Sequence, residues 1–402
     1  MVEGSVAPGF EGVRTVFEQS FVQRREIGAA LCVYKDGERV VDLWGGWADQ
    51  EARQRWSADT MTVAFSCTKG MVALMFTMLA DRGVITLDAP IAEYWPEFAA
   101  NGKRTITIRQ WLNHRAGLSA IDAPLTLDDF AHADRIEAAL IDQRPMWTPG
   151  TEQGYAATAF GGFAQALFQR VAGCSLGAFL QDEIVGPLGL DLFIGVPESR
   201  ERDLATLYPY GRRTLLRRVL PELLTRRTPE GRVFRRVVLK SRTTTGRAFI
   251  NPDMGPSRFH QLNRRDYQRI ELPWMNGVFS ARSLSGVYAG LAMDGTFRGV
   301  ELLSSAAIEP LTRRQSWSQR DRVLNKPLGF SQGFCKDELH LFSPNVEAFG
   351  HSGVGGSVGF ADPRTGLSVG YVMNRLDWRL RSPRAIKLCR AIYDAVGQPF
   401  TA

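Results

Sequence analysis

Cysteine and histidine are scarce in this chain, five of each in 402 residues. The cysteines (Cys32, Cys67, Cys174, Cys335 and Cys389) are scattered and odd in number, which argues against a disulfide framework. No histidines pair at metal-ligand spacing, so no metal site is expected. Long apolar runs are missing as well: no window approaches the ~20 apolar residues that span a bilayer. The segment Met1-Val2-Glu3-Gly4-Ser5-Val6-Ala7-Pro8-Gly9 shows neither an apolar core nor a cleavage signal, and the chain reads as cytoplasmic. There is no internal repeat, low-complexity tract or Pro/Ser linker. The chain is nonetheless long for one core, and two packed lobes are the natural expectation.

Against that background one tetrad stands out, Ser66-Cys67-Thr68-Lys69. If it opens a helix, the hydroxyl and the amine lie one turn apart on the same face. A serine hydroxyl is a poor nucleophile at neutral pH and needs a base within reach. A lysine serves if burial lowers its pKa. The stretch that follows, Met71 to Ala80, is apolar almost all round with Thr77 as its single polar side chain, as expected of a buried helix. It stops at Asp81-Arg82-Gly83, where Gly83 suits a left-handed helix end. A nucleophile at such an N-terminus is held rigidly, with the positive end of the helix dipole facing a developing oxyanion. The plainer alternative is an N-cap serine followed by a first-turn lysine, although the dipole disfavours that lysine. Cys67 should point away from the substrate, as a small buried filler.

Two further segments extend the pattern. Trp147-Thr148-Pro149-Gly150 marks a turn, and Tyr155 follows at the mouth of a helix expected over Thr158 to Val171. Near the C-terminus, His351-Ser352-Gly353-Val354-Gly355-Gly356-Ser357 leads into a hairpin, Val358–Asp362 and Leu367–Met373. Glycines there let a ligand approach a strand backbone closely. Taken singly, Tyr155 would be a core or surface tyrosine and the glycine run a loop. In this order the three segments are hard to produce by chance.

With these residues the chain resembles the class C β-lactamase-like serine hydrolases, and among them the family VIII carboxylesterases. The tetrad matches the nucleophile signature of penicillin-binding proteins and serine β-lactamases. Ile108 to Leu118, with His114 and Gly117-Leu118, and Asn276 to Leu284 add to the likeness. The resemblance implies an α/β (α+β) fold of the β-lactamase/penicillin-binding-protein type, an antiparallel sheet flanked by helices. In that fold residues 1–85 with 275–402 would form an α/β lobe, and 86–274 an inserted, mostly helical lobe. Strands are expected near Ala29–Leu43 and Phe349–Met373, with a closing helix over Arg384–Val396.

The departures matter more than the matches. Class C β-lactamases carry an asparagine two residues after the tyrosine, where this chain has Ala157. They carry Lys-Thr-Gly on the edge strand, where this chain has His351-Ser352-Gly353. Both changes remove polar contacts to a β-lactam and leave the acyl-transfer residues in place, so the site reads as an esterase. Ser66 would attack an ester carbonyl while Lys69, directly or relayed through Tyr155, takes its proton. The oxyanion would lie between the backbone N–H groups of Ser66 and Val354. Ser352 and Gly353 would border the substrate. His351 would bond the substrate or Tyr155, or be only a strand-end residue. No cofactor is needed, and the expected partner is a small-molecule ester. An acyltransferase using the same residues and a catalytically silent receptor of this fold are the alternatives.

The net charge of +7 is unevenly spread. Between Arg200 and Arg247 there are 14 Lys+Arg against 4 Asp+Glu, with arginine pairs at 212/213, 217/218, 226/227 and 235/236. Leu215, Leu216, Leu220, Leu223 and Leu224 interleave with them. Such a basic amphipathic segment can lie on a membrane surface, cover an acyl chain or simply be solvated. As an acyl cover, its leucines should line the cleft. No nucleic-acid motif accompanies it, so a nucleic-acid partner is not expected.

Overall fold

A computed structural model describes residues 2–23, 25–211, 214–225, 228–239, 242–254, 258–336, 340–379 and 381–400. Four of the paired arginines (Arg212, Arg213, Arg226 and Arg227) lie outside the described residues, as does the side chain of Leu215.

The expected C-terminal hairpin forms the middle of a ten-stranded antiparallel sheet. From edge to edge its strands are Val2–Val6, Glu38–Asp49, Gly28–Lys35, Leu367–Met373, Val358–Asp362, Phe349–Ser352, Phe334–Cys335, Leu328–Ser331 and Ser316–Ser318; Gln54–Arg55 pairs onto Glu38–Asp49. Every residue of Val358–Asp362 and Leu367–Met373 is buried, because both faces of the sheet are covered. The helix Ala281–Leu291 lies across one face so closely that a Cβ at Gly370 would fall 2.5 Å from the Ala281 carbonyl oxygen. The next residue, Tyr371, points to the opposite face. There its hydroxyl donates to Glu26, which pairs with Arg384 at 2.5 Å on the helix Pro383–Ala395. That closing helix starts one residue earlier than expected, with Pro383 in its first turn and the Ser382 hydroxyl accepting from the Arg384 N–H.

Between Thr86 and Trp274 the regular structure of the described residues is helical apart from the short strand Leu192–Phe193. That strand pairs with Val278–Phe279, which also pairs with Thr62–Val63, in a three-stranded sheet. This small sheet fixes the chain just before Ser66 and just after Trp274, and both positions matter below.

Candidate active site

The helix carrying the tetrad runs Cys67–Asp81 and is buried from Cys67 through Leu79, as its apolar sequence requires. Gly83 follows it with φ +71°, the left-handed end that the sequence suggested. Ser66 occupies the N-cap position, yet its hydroxyl makes no capping bond. Instead Tyr155 Oη donates to Ser66 Oγ at 3.0 Å, and Lys69 Nζ stands 3.5 Å from the same oxygen. An ordinary N-cap serine would spend its oxygen on the helix amides, so the plainer reading of the tetrad fails here.

The turn into Ser66 is strained. Phe65 has φ +50°, a left-handed conformation that costs a non-glycine residue on the order of 1 kcal/mol. Thr68 holds it there: its hydroxyl donates to the Phe65 carbonyl at 2.6 Å and accepts the Gly277 N–H at 3.0 Å. The Ala64 N–H donates to the Gly277 carbonyl at 3.0 Å, which ties the same turn to the small sheet. Thr68, one of the variable positions of the tetrad, is a site residue that the sequence did not flag.

Lys69 is 1% exposed. Its amine donates to the Ala157 carbonyl at 2.9 Å and to the Trp274 carbonyl at 3.1 Å. Burial pulls it from the ordinary lysine range down to about 7. Two of the three nitrogen positions are thereby given to carbonyls, and the third faces Ser66 Oγ. In the neutral amine that third position is a lone pair. Asn276 builds the loop that presents Trp274: its side chain accepts from the Leu272 N–H at 2.9 Å and donates to the carbonyls of Tyr267 and Ile270 at 3.1 and 2.7 Å.

Two buried side chains from elsewhere in the chain hold the backbone around Tyr155. Asp321, with no exposed surface, accepts the Tyr155 N–H at 3.0 Å and those of Val323 and Leu324 at 2.9 and 2.8 Å. His114 Nδ1 accepts the Ala156 N–H at 3.1 Å, so its other nitrogen carries the proton. Burial pushes the His114 imidazole well below its usual range, with the charge of Lys69 adding to the effect. The His114 ring packs 4.9 Å from that of Tyr155. Burial also pushes the Tyr155 phenol upward, so it stays protonated near neutral pH. Because Asp321 anchors three amides without direct contact to Ser66, Asp321→Ala should lower stability by about 3 kcal/mol, as loss of charge-assisted hydrogen bonds does. Urea unfolding will measure this. A midpoint equal to that of the wild type would mean that the carboxylate is not the anchor.

The strand Phe349–Ser352 closes the other side. His351 is 1% exposed, and its Nδ1 lies 2.9 Å from the Ser352 carbonyl oxygen. Burial, aided by the Lys69 charge, brings its imidazole down to about 3, so it is neutral. Its ring stands behind Tyr155 at 6.1 Å, outside the cavity lining, whereas Ser352 and Val354 are part of that lining. Cys67 points back into this strand, its thiol 3.3 Å from the His351 carbonyl, as a buried filler should. Gly353 is required by space: a Cβ there would sit 2.3 Å from the Ala64 carbonyl oxygen and 2.2 Å from Ser357 Oγ. Among the described residues, no backbone carbonyl takes up the N–H of Ser66 or of Val354.

Ser66 lies in a cavity of about 530 Å³, lined mostly by apolar side chains that include Phe65, Phe249, Ile250, Met254, Phe259 and Met275. Among the described residues, Asp253 and Arg381 are the charged members of the lining. The basic segment does reach the cavity, though not with the residues expected. Val233, Phe234 and Val237 of the helix Pro229–Val238 line it, while Leu216 and Leu220 are 52% and 43% exposed. The leucines alternate with arginines in the preceding turns, but the cavity-lining face belongs to the helix after them.

Known proteins are similar to this one over nearly the whole chain. Residues 13–388 match the Beta-lactamase family. The chain is 35% identical over 383 residues to Esterase/beta-lactamase LipL of Mycobacterium tuberculosis (strain ATCC 25618 / H37Rv), covering 93% of this chain and 83% of that protein. A solved family VIII carboxylesterase superposes with a TM-score of 0.85 at 34% identity, over 98% of this chain and 100% of that one. A penicillin-binding protein homolog from Caulobacter crescentus gives 0.84 at 34% identity, with the same coverage. The convergence on Ser66 thus stands inside a likeness that runs almost from end to end, and the chain belongs to the beta-lactamase family.

Proposed function

We propose that this protein is a serine carboxylesterase that hydrolyses small or medium acyl esters through an acyl-serine intermediate. One observation carries the reading: Tyr155 Oη and Lys69 Nζ meet at Ser66 Oγ, 3.0 and 3.5 Å away, in a mainly apolar cavity. Ser66 attacks the ester carbonyl as the lone pair of neutral Lys69 takes its proton. The N–H groups of Ser66 and Val354 receive the oxyanion; both lack a backbone partner among the described residues. Tyr155 passes a proton to the leaving alcohol. Water then deacylates Ser66, with the same groups acting in reverse. His351 acts by packing behind Tyr155, and Ser352 and Gly353 border the substrate. A cytoplasmic location fits the five free cysteines, and no helix among the described residues is long and apolar enough to cross a membrane.

The names of the relatives support the reading, one being an esterase/beta-lactamase and another a family VIII carboxylesterase. Weak β-lactam hydrolysis belongs to it too, since one of the relatives is named an esterase/beta-lactamase. Neutral His351, however, brings no charge to the edge strand, and at position 157 the chain offers a backbone carbonyl, already held by Lys69. Two lost polar contacts at about 1–3 kcal/mol each predict at least ~30-fold higher kcat/KM for p-nitrophenyl butyrate than for a cephalosporin. Comparable efficiency on the two substrates would sink the esterase assignment.

A further inference from the structure

The paired helical segments 214–225 and 228–239 face two ways. Their inner side supplies Val233, Phe234 and Val237 to the cavity. Their outer side carries Leu216, Leu220 and Leu224, which are 52%, 43% and 68% exposed. They recur every four residues and so share one face, while Val219 between them is buried and holds the run to the body of the protein. Arg217 and Arg218 are exposed on the same turns. The one acid within residues 214–225, Glu222, is tied to the second segment: its carboxylate accepts from the Thr228 hydroxyl at 2.8 Å. The helices are pressed together there, since a Cβ at Gly231 would lie 2.7 Å from the Glu222 carbonyl oxygen. The outer face is therefore apolar and cationic, with its carboxylate withdrawn.

We infer that this face docks on an anionic lipid surface. A purely water-facing wall has no use for three leucines in a row of turns, each of which forgoes part of the burial that stabilises an apolar side chain. Leucines on a cationic helix face are the composition that enters the headgroup boundary, with arginines left to meet phosphates. The sequence points the same way, since residues 212–247 hold twelve Lys+Arg against two Asp+Glu. Docked in this way, the hairpin would lie between the lipid and the cavity, and acyl esters dissolved in the lipid would enter past Val233, Phe234 and Val237. That last step rests on the esterase reading; the docking itself does not.

The test is sedimentation of the full chain with vesicles of phosphatidylcholine containing phosphatidylglycerol, beside vesicles of phosphatidylcholine alone. Binding to the anionic vesicles at low salt should fall at least ~10-fold when salt is raised well above ~0.15 M, where screening confines exposed charges to about 8 Å. A Leu216→Ser, Leu220→Ser, Leu224→Ser variant should lose binding ~10-fold or more, and so should Arg217→Glu with Arg218→Glu. Both variants should keep wild-type turnover of a water-soluble acetate ester, which separates failed docking from a failed catalytic assignment. Wild-type protein left in the supernatant with anionic vesicles at low salt would overturn the inference. So would equal binding by the serine variant, or a dimer in light scattering that the serine variant dissolves, since the leucines would then cover a second copy of this chain.

Discussion

Replacing Ser66 by alanine should abolish ester hydrolysis, lowering kcat by roughly 10⁴- to 10⁶-fold, the loss seen when one member of a cooperating catalytic set is removed. The fold should survive the change. The Ser66 hydroxyl caps nothing, and the strain at Phe65 is held by Thr68 and Gly277 rather than by the serine side chain. Removing the oxygen takes one hydrogen bond from Tyr155, at about 1 kcal/mol. A p-nitrophenyl butyrate assay, circular dichroism and labelling by a serine-directed phosphonate form the full measurement. The labelled peptide should contain Ser66, and the variant should take up no label. Substantial turnover by Ser66→Ala with a wild-type circular dichroism spectrum would refute the nucleophile.

The parts of this site that announced themselves in the sequence are those whose side chains are proposed to do the chemistry. Ser66, Lys69 and Tyr155 are chemically distinctive residues in unusual settings: a lysine at the head of an apolar helix and a tyrosine just after a Pro-Gly turn. The hairpin Val358–Asp362 and Leu367–Met373 was legible for a similar reason, since two apolar runs flank a clear turn sequence. The parts that stayed hidden work through the backbone or contradict their neighbourhood. Trp274 holds Lys69 with its carbonyl oxygen, which any residue could supply. Asp321 sits between Arg320 and Arg322 and looks like a solvated charge, yet it is fully buried on backbone amides. Short strands such as Phe334–Cys335 are made by pairing with their neighbours and carry no period of their own. The basic hairpin misled in detail because leucine spacing marks a face without saying which side of that face is wet.

Lys69→Met should lower kcat/KM about as far as the serine change, roughly 10⁴-fold or more, and should change the shape of the pH profile as well. In the proposed mechanism the base is the neutral amine. With the ammonium drawn down to about 7 by burial, the neutral fraction rises with pH through that value. The logarithm of kcat/KM should therefore climb with a slope near one below about pH 7 and level off above it. Among the described residues, no other group beside Ser66 accounts for such an inflection. His351 is brought down to about 3, His114 lies well below its usual range, and the Tyr155 phenol is pushed up. Lys69→Arg should fail to rescue activity, because a guanidinium stays protonated and cannot accept the serine proton. Residual turnover in Lys69→Met should lose the inflection. If it persists near pH 7 in that variant, some other group takes the proton, and the assignment of Lys69 as base falls while Ser66 can still stand as nucleophile.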